Sequence, residues 1–253
     1  MFLAIDSVLQ AAPHGTDLSG YDRLGLSLNQ TPPTHQLQVG NFAFVFIDEP
    51  EAGSMLRQAW DSVRPSGRTS LALTLTVENL DAIPNGIRGK LADGRDAVLL
   101  PIEESAGAHL VLVSEGRKSA EQMHPFPLRR LDHLAIVTHD LEARCRYWER
   151  DLATPITGEV VTPTMVIRQI RVGDAVIELL GPVGADSPLW KRIPGLISMA
   201  SWEVANVDAA VAQARAAGFD VADAALGVLP GTRIATVPGT ALAGINMQLL
   251  QYV

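Results

Sequence analysis

The stretch Leu131-Asp132-His133-Leu134-Ala135-Ile136-Val137 decides how this chain is read. It is a short apolar run with a single histidine. Side chains alternate across a β-strand, so His133, Ala135 and Val137 share one face and Asp132, Leu134 and Ile136 the other. Thr138-His139-Asp140-Leu141-Glu142 follows as a turn into a helix. Asp140 is placed to cap that helix, and Glu142 puts negative charge in its first turn. The helix carries Ala143, Tyr147 and Trp148 and runs into Glu149-Arg150-Asp151-Leu152. Strand, helix, then further strands is the expected unit of the chain.

The rest of the chain echoes this unit. Ile5-Asp6-Ser7-Val8-Leu9 repeats Leu131-Asp132-His133-Leu134-Ala135, with serine in place of histidine. Aligning Val77 with Val204 also aligns Leu80 with Val207 and Asp81 with Asp208, at nearly the same offset. Ala106 to Leu112 matches Ala243 to Leu249 after a longer insertion in the second half. Two nearly equal offsets point to internal duplication. Between these anchors, Gln36–Val39 and Phe42–Ile47 read as strands broken at Gly40-Asn41, Glu51 to Val63 as a helical connection, and Ser70 to Val77 as a strand. The expectation is four strand-helix-strand units in two halves, residues 1–115 and 128–253, joined by the Gly- and Pro-containing segment Glu115 to Pro127.

Bulk properties exclude several classes. The chain has 253 residues, 47% of them hydrophobic, and a net charge of −8, so it can bury a sizeable core and offers no nucleic-acid surface; Arg129-Arg130 is too small a basic cluster for one. One cysteine, Cys145, rules out an internal disulfide and suits a reducing cytoplasm. The first residues lack a basic signal-peptide region, and no apolar run reaches membrane-spanning length. A cytoplasmic location and no membrane partner are therefore expected.

Leu131 to Ile136, Tyr147 to Leu152, and Val176-Ile177-Glu178-Leu179-Leu180-Gly181-Pro182 together resemble the vicinal oxygen chelate superfamily, which includes glyoxalase I, methylmalonyl-CoA epimerase, extradiol dioxygenases and bleomycin-resistance proteins. Ala185 to Leu189 and Pro194-Gly195-Leu196 resemble the epimerase branch most. Clear resemblance covers Arg129 to Tyr252; the first half joins it only through the repeat. The resemblance implies an α+β fold of tandem βαβββ modules, four in the chain, pairing into two half-open β-barrels. It also implies a divalent metal in the barrel, held from the first and last strands of paired modules. Here those positions are His133 and Met199 on first strands, and Glu178 and Gln248 on last strands.

This ligand set departs from the family pattern. His133 and Glu178 suit Zn, Mn, Fe, Co or Ni; Gln248 is a weak neutral donor; Met199 is a soft thioether where histidine is usual. The set required for non-haem iron oxygen chemistry is incomplete. The cofactor expectation is one divalent metal or none. In the first half, Ser7, Ala72, Val111 and either Val45 or Phe46 take the equivalent positions and can hold no metal, so that barrel is expected to be structural.

Glu178 and His133 are the catalytic candidates, and His133, Glu178 and Gln248 the metal candidates. A carboxylate in an apolar barrel is either held by a cation or available as a base next to a carbonyl. The bland alternative for His133 is a buried histidine hydrogen-bonded to Glu178 or Gln248. Met199, Ser201, Asn246 and Arg168 are the substrate-binding candidates. Arg168 and Arg171 lie on opposite faces, so at most one lines a site, and Glu203 is expected near the solvated strand end. Trp148, Trp190 and Trp202 read as core or interface residues. Gly227 to Gly231 is a loop placed to cover the barrel mouth. The leading expectation is an isomerase or lyase acting on a small oxygenated molecule. The alternative is a metal-free sequestering protein, and a dioxygenase ranks below both. Whether two chains pair stays open.

Overall fold

The computed structural model describes all residues except 1, 32–33, 64–68, 84, 101–107 and 119–123. The first half contributes β1 (Phe2–Ala11), α1 (Ser19–Arg23), β2 (Asn29–Thr31), β3 (Thr34–Val39), β4 (Phe42–Ile47), α2 (Met55–Val63), β5 (Ser70–Val77), β6 (Ile87–Lys90), β7 (Asp96–Leu100) and β8 (His109–Val113). The second contributes β9 (Leu128–Val137), α3 (Leu141–Arg146) prolonged by a π-helical turn Tyr147–Asp151, β10 (Gly158–Val161), β11 (Met165–Val172) and β12 (Ala175–Pro182). A 3₁₀ turn Pro188–Lys191, β13 (Ile197–Val204), α4 (Val207–Ala216), β14 (Ala225–Leu226), β15 (Thr232–Val237) and β16 (Asn246–Tyr252) complete it.

The strands form two eight-stranded mixed sheets, ordered β2-β3-β4-β1-β5-β8-β7-β6 and β10-β11-β12-β9-β13-β16-β15-β14. The second order is the first with eight added to each strand, so the duplication read from the sequence is a duplication of topology. The central pairs keep the same register: Ser7 lies across from Thr74 as His133 lies across from Ser201. The fold class is α+β with tandem modules, as the resemblance implies.

The halves differ in their helices. In the second half, Asp140 Oδ1 caps α3 through Ala143 N–H (3.0 Å), and Asn206 Oδ1 caps α4 through Ala209 N–H (3.0 Å). In the first half α1 has only five residues. After β5 the Asn79 side chain accepts from Asp81 N–H (2.8 Å), yet no helix follows among the described residues. Ala82-Ile83-Pro84-Asn85-Gly86 supplies the breakers. The second unit is therefore a strand meander without its helix, a departure from four equal modules.

One face of each sheet packs into a core shared by the two halves. Trp202 of β13 meets Phe42 and Phe44 of β4, ring centroids 5.5 and 6.0 Å apart, and Phe2 meets Trp148 at 5.8 Å. Tyr21 of α1 donates its hydroxyl to Leu242 O (3.1 Å). Gly20 is packed so closely on the Ala241 carbonyl that a Cβ would find no room. Cys145 is buried on this side, as a packed thiol.

The other face of the first sheet is filled by the chain itself. Met55, Leu56, Ala59, Trp60 and Val63 recur at helical spacing on α2 and pack on Leu9, Ala43, Val45, Ile47 and Val111. With both faces covered, Phe42-Ala43-Phe44-Val45-Phe46-Ile47 is buried throughout. Of the two residues left open for the position equivalent to Glu178, Val45 is the one on the α2 side; Phe46 lies in the shared core. In the second half the corresponding connection is the short 3₁₀ turn, and the hollow stays open. Among the described residues no helix is long and apolar enough to cross a membrane.

Candidate functional site

The hollow of the second sheet collects four strands. β12 runs parallel to β9 and sets Glu178 beside Ala135, one alternation along from His133. β13 runs antiparallel to β9 and sets Ser201 across from His133, and β16 sets Gln248 beside Ser201. The side chains meet accordingly. His133 Nε2 lies 2.7 Å from Ser201 Oγ and 3.6 Å from Glu178 Oε2. The Ser201 hydroxyl donates to Gln248 Oε1 (2.6 Å), and Gln169 Nε2 donates to Glu178 Oε1 (2.9 Å).

Asp132 is a site residue that strict strand alternation hides. It should point away from His133, but the β9–β13 register slips between Ser201 and Trp202, which face His133 and Leu131. Asp132 is the unmatched residue of this bulge, and its carboxylate turns to the same side. His133 Nδ1–H donates to Asp132 Oδ1 (2.8 Å), and Tyr252 donates its hydroxyl to Oδ2 (2.6 Å). Burial alone would raise the Asp132 pKa; the hydrogen bonds from His133 and Tyr252, with the charges of His133 and Arg130, outweigh it and hold the group below the usual range. Partial burial and the same hydrogen bond push the Tyr252 phenol up to about 12. Asp132 thus fixes which imidazole nitrogen faces the hollow.

The cavity over these residues measures about 140 Å³. His133, Glu178, Gln248 and Thr232 form its polar end, and Val160, Met165, Ile167, Leu180, Met199, Val228, Leu229, Ile234 and Leu250 its apolar walls. The loop before β15 forms part of the cover: Thr232 Oγ1 donates to Leu229 O (2.6 Å) and Gly227 N–H to Thr232 O (2.9 Å). A larger cavity of about 400 Å³ lies at the mouth of the first sheet, but its lining contains no histidine.

The remaining candidates fall differently. Met199 lines the cavity, and Ser201 is fully buried beneath it between His133 and Gln248. Arg168 is outside the cavity lining. It lies across from Leu179, on the face opposite Glu178, and pairs with Glu159 and with Glu142 of α3 (3.6 Å). Asn246 is also outside the lining; its Oδ1 accepts from Gly239 N–H (2.8 Å) and ties down a loop. Glu203 pairs with Arg130 (2.8 Å) at the strand end. Trp148 and Trp202 are core residues, whereas Trp190 is half-exposed beside His139.

The donor set does not fit a tightly held hard divalent ion. It offers one imidazole, one carboxylate and one neutral amide, with a thioether at the fourth position. The Ser201 hydroxyl stands at hydrogen-bond distance from both the His133 and the Gln248 donor atoms. Among the described residues there is no group of three or more His, Cys, Asp or Glu that could hold a metal.

Residues 132–236 match the family described as Glyoxalase/Bleomycin resistance protein/Dioxygenase superfamily, which the C-terminal half of the chain resembles. Human methylmalonyl-CoA epimerase, mitochondrial, is 33% identical over 90 residues, which are 33% of this chain and 51% of that protein. The chain thus spans about half the length of the curated relative it matches. Over the whole chain the fold is that of a 4-hydroxymandelate synthase variant from Streptomyces coelicolor, with a TM-score of 0.69, 10% identity, and coverage of 99% of this chain and 93% of the other. A xylose isomerase-like TIM barrel/4-hydroxyphenylpyruvate dioxygenase fusion protein also gives 0.69, at 14% identity, covering 100% of this chain and 49% of the other. Superfamily members commonly bind divalent metals, so the donor set here is a local departure.

Proposed function

We propose that this is an isomerase- or lyase-type enzyme that moves a proton on a small oxygenated substrate in the C-terminal hollow. The observation that carries the proposal is the 3.6 Å approach of His133 Nε2 to Glu178 Oε2 at the polar end of one apolar cavity. Glu178 takes a proton from a carbon next to a carbonyl. The NH₂ of the Gln248 amide faces the oxygen on which negative charge develops, and His133, oriented by Asp132, holds the Ser201 hydroxyl that fixes that amide. The proton then returns from Glu178 to the same carbon or to a neighbouring atom. A positioned acid–base pair of this kind contributes about 10²–10⁴-fold in rate. The metal expected from the resemblance has no step in this scheme.

The test is exchange of carbon-bound hydrogen for deuterium, followed by proton NMR across a panel of small ketones, oxo acids and thioesters. Enzyme-dependent exchange that disappears in Glu178→Gln supports the proposal; no exchange with any member overturns it. A second reading, a protein that sequesters an apolar or aromatic ligand, is favoured by the nine apolar residues of the cavity wall and by neutral Gln248 and Met199 at two family ligand positions. Ligands that raise the Tm with no turnover would select it.

A further inference from the structure

We infer that the hollow selects uncharged ligands, an apolar or aromatic body bearing one or two neutral oxygen functions, and discriminates against carboxylates and phosphates. This rests on reading the hollow as the ligand site, and it adds the substrate class.

Three observations carry it. No lysine or arginine lines the cavity among the described residues. Arg171, the basic side chain nearest in sequence to Glu178, is exposed and outside the cavity lining, and Arg168 is turned to the other face and committed to Glu159 and Glu142. Second, the polar end already holds a carboxylate: Glu178 faces His133 at 3.6 Å, and Arg130, outside the lining, is committed to Glu203 (2.8 Å) and Asp132 (3.6 Å). Third, the walls on both sides are aliphatic or thioether side chains, which offer an anion no hydrogen bond. An anionic head would lose its water, find no countercharge, and sit beside a like charge in a medium of low dielectric. A neutral carbonyl needs only a hydrogen bond, which the Gln248 amide NH₂ can give.

Isosteric pairs isolate the charge. Benzoylformate and its amide differ by an oxygen anion against an NH₂ group, and trimethylpyruvate and its amide form an aliphatic pair. Calorimetry and thermal shift on the full chain should show each amide binding at least tenfold more tightly than its acid. In Glu178→Gln, with the like charge removed, that ratio should shrink at least threefold. Equal or tighter binding of the acids, or binding of neither pair at millimolar concentration, would overturn the inference. Amide preference without hydrogen exchange in the panel above would leave the inference standing and remove the enzymatic reading. Exchange together with acid preference would do the reverse.

Discussion

Ser201 faces His133 directly across β9 and β13, its hydroxyl 2.7 Å from Nε2 and fully buried. It joins the histidine to Gln248 and makes one hydrogen-bonded unit of three strands. Ser201→Ala would strand two buried polar atoms, at a cost of about 1–3 kcal/mol. Urea denaturation should show that loss with an unchanged m-value. A Ser201→Ala protein as stable as the wild type would mean that the unit contributes nothing to the fold.

Met199 lines the cavity two residues before Ser201, on the same strand face as Glu178's neighbour Ala135. Met199→His would add a second imidazole to His133 and Glu178, giving a two-histidine, one-carboxylate set. Calorimetric titration with zinc or cobalt should show affinity at least tenfold above that of the wild type, and a Tm that EDTA lowers only in the variant. Equal affinities would place residue 199 outside coordinating reach.

In the first half, Asp6 occupies the bulge position of Asp132 and is held by Arg95 (2.8 Å) and Arg117 (3.2 Å) instead of a histidine. All three side chains are largely buried. Asp6→Ala leaves Arg95 and Arg117 with only the more exposed Asp93 as counter-ion, and breaking a buried pair in this way costs about 3–5 kcal/mol. The midpoint of chemical denaturation reads the loss directly. A shift equivalent to less than about 1 kcal/mol would show the cluster to be solvated in solution.

The same cluster has an acid-sensitive member. Burial alone would raise the Asp93 carboxyl, but hydrogen bonds and charge from Arg95, with the charge of Arg117, hold it below its ordinary value. A carboxyl lowered by folding adds stability that is fully present above the unfolded value of about 3.9 and is lost as pH falls through the folded value. Asp93→Asn should therefore flatten the acid side of the stability profile and leave its slope near neutrality unchanged. An unaltered acid limb would remove Asp93 from the account.

Trp60 is the largest side chain that α2 sends into the first hollow, and it is 1% exposed. Trp60→Ala should cost about 3–5 kcal/mol through lost contacts and the void left behind. Differential scanning calorimetry would register it as a lowered Tm. An unshifted transition would mean that α2 does not hold that face closed.

The duplication was legible because strands of fixed topology leave the same short words, Ile-Asp-Ser-Val-Leu and Leu-Asp-His-Leu-Ala, at a constant spacing. The filling of the first hollow was written less openly. Phe42 to Ile47 is apolar at every position, which signals a strand covered on both sides, but nothing local says that Met55–Val63 is the cover. Asp132 escaped notice because alternation assigns it to the wrong face, and a bulge depends on two strands at once. Arg168 was open to either face because the register of β11 on β12 comes from the pairing of Gln169 with Glu178. That no helix follows β5 among the described residues accords with Pro84 and Gly86, which both disfavour one.

The segment joining the fourth and fifth strands spans residues 48–69 in one half and 183–196 in the other. In the first it carries α2, whose apolar side packs on the sheet. Whether a sheet face is covered by its own chain or left open thus turns on the length and hydrophobic pattern of one connector. Transplanting the longer connector into the second half would be expected to lay a helix over that face as α2 does in the first.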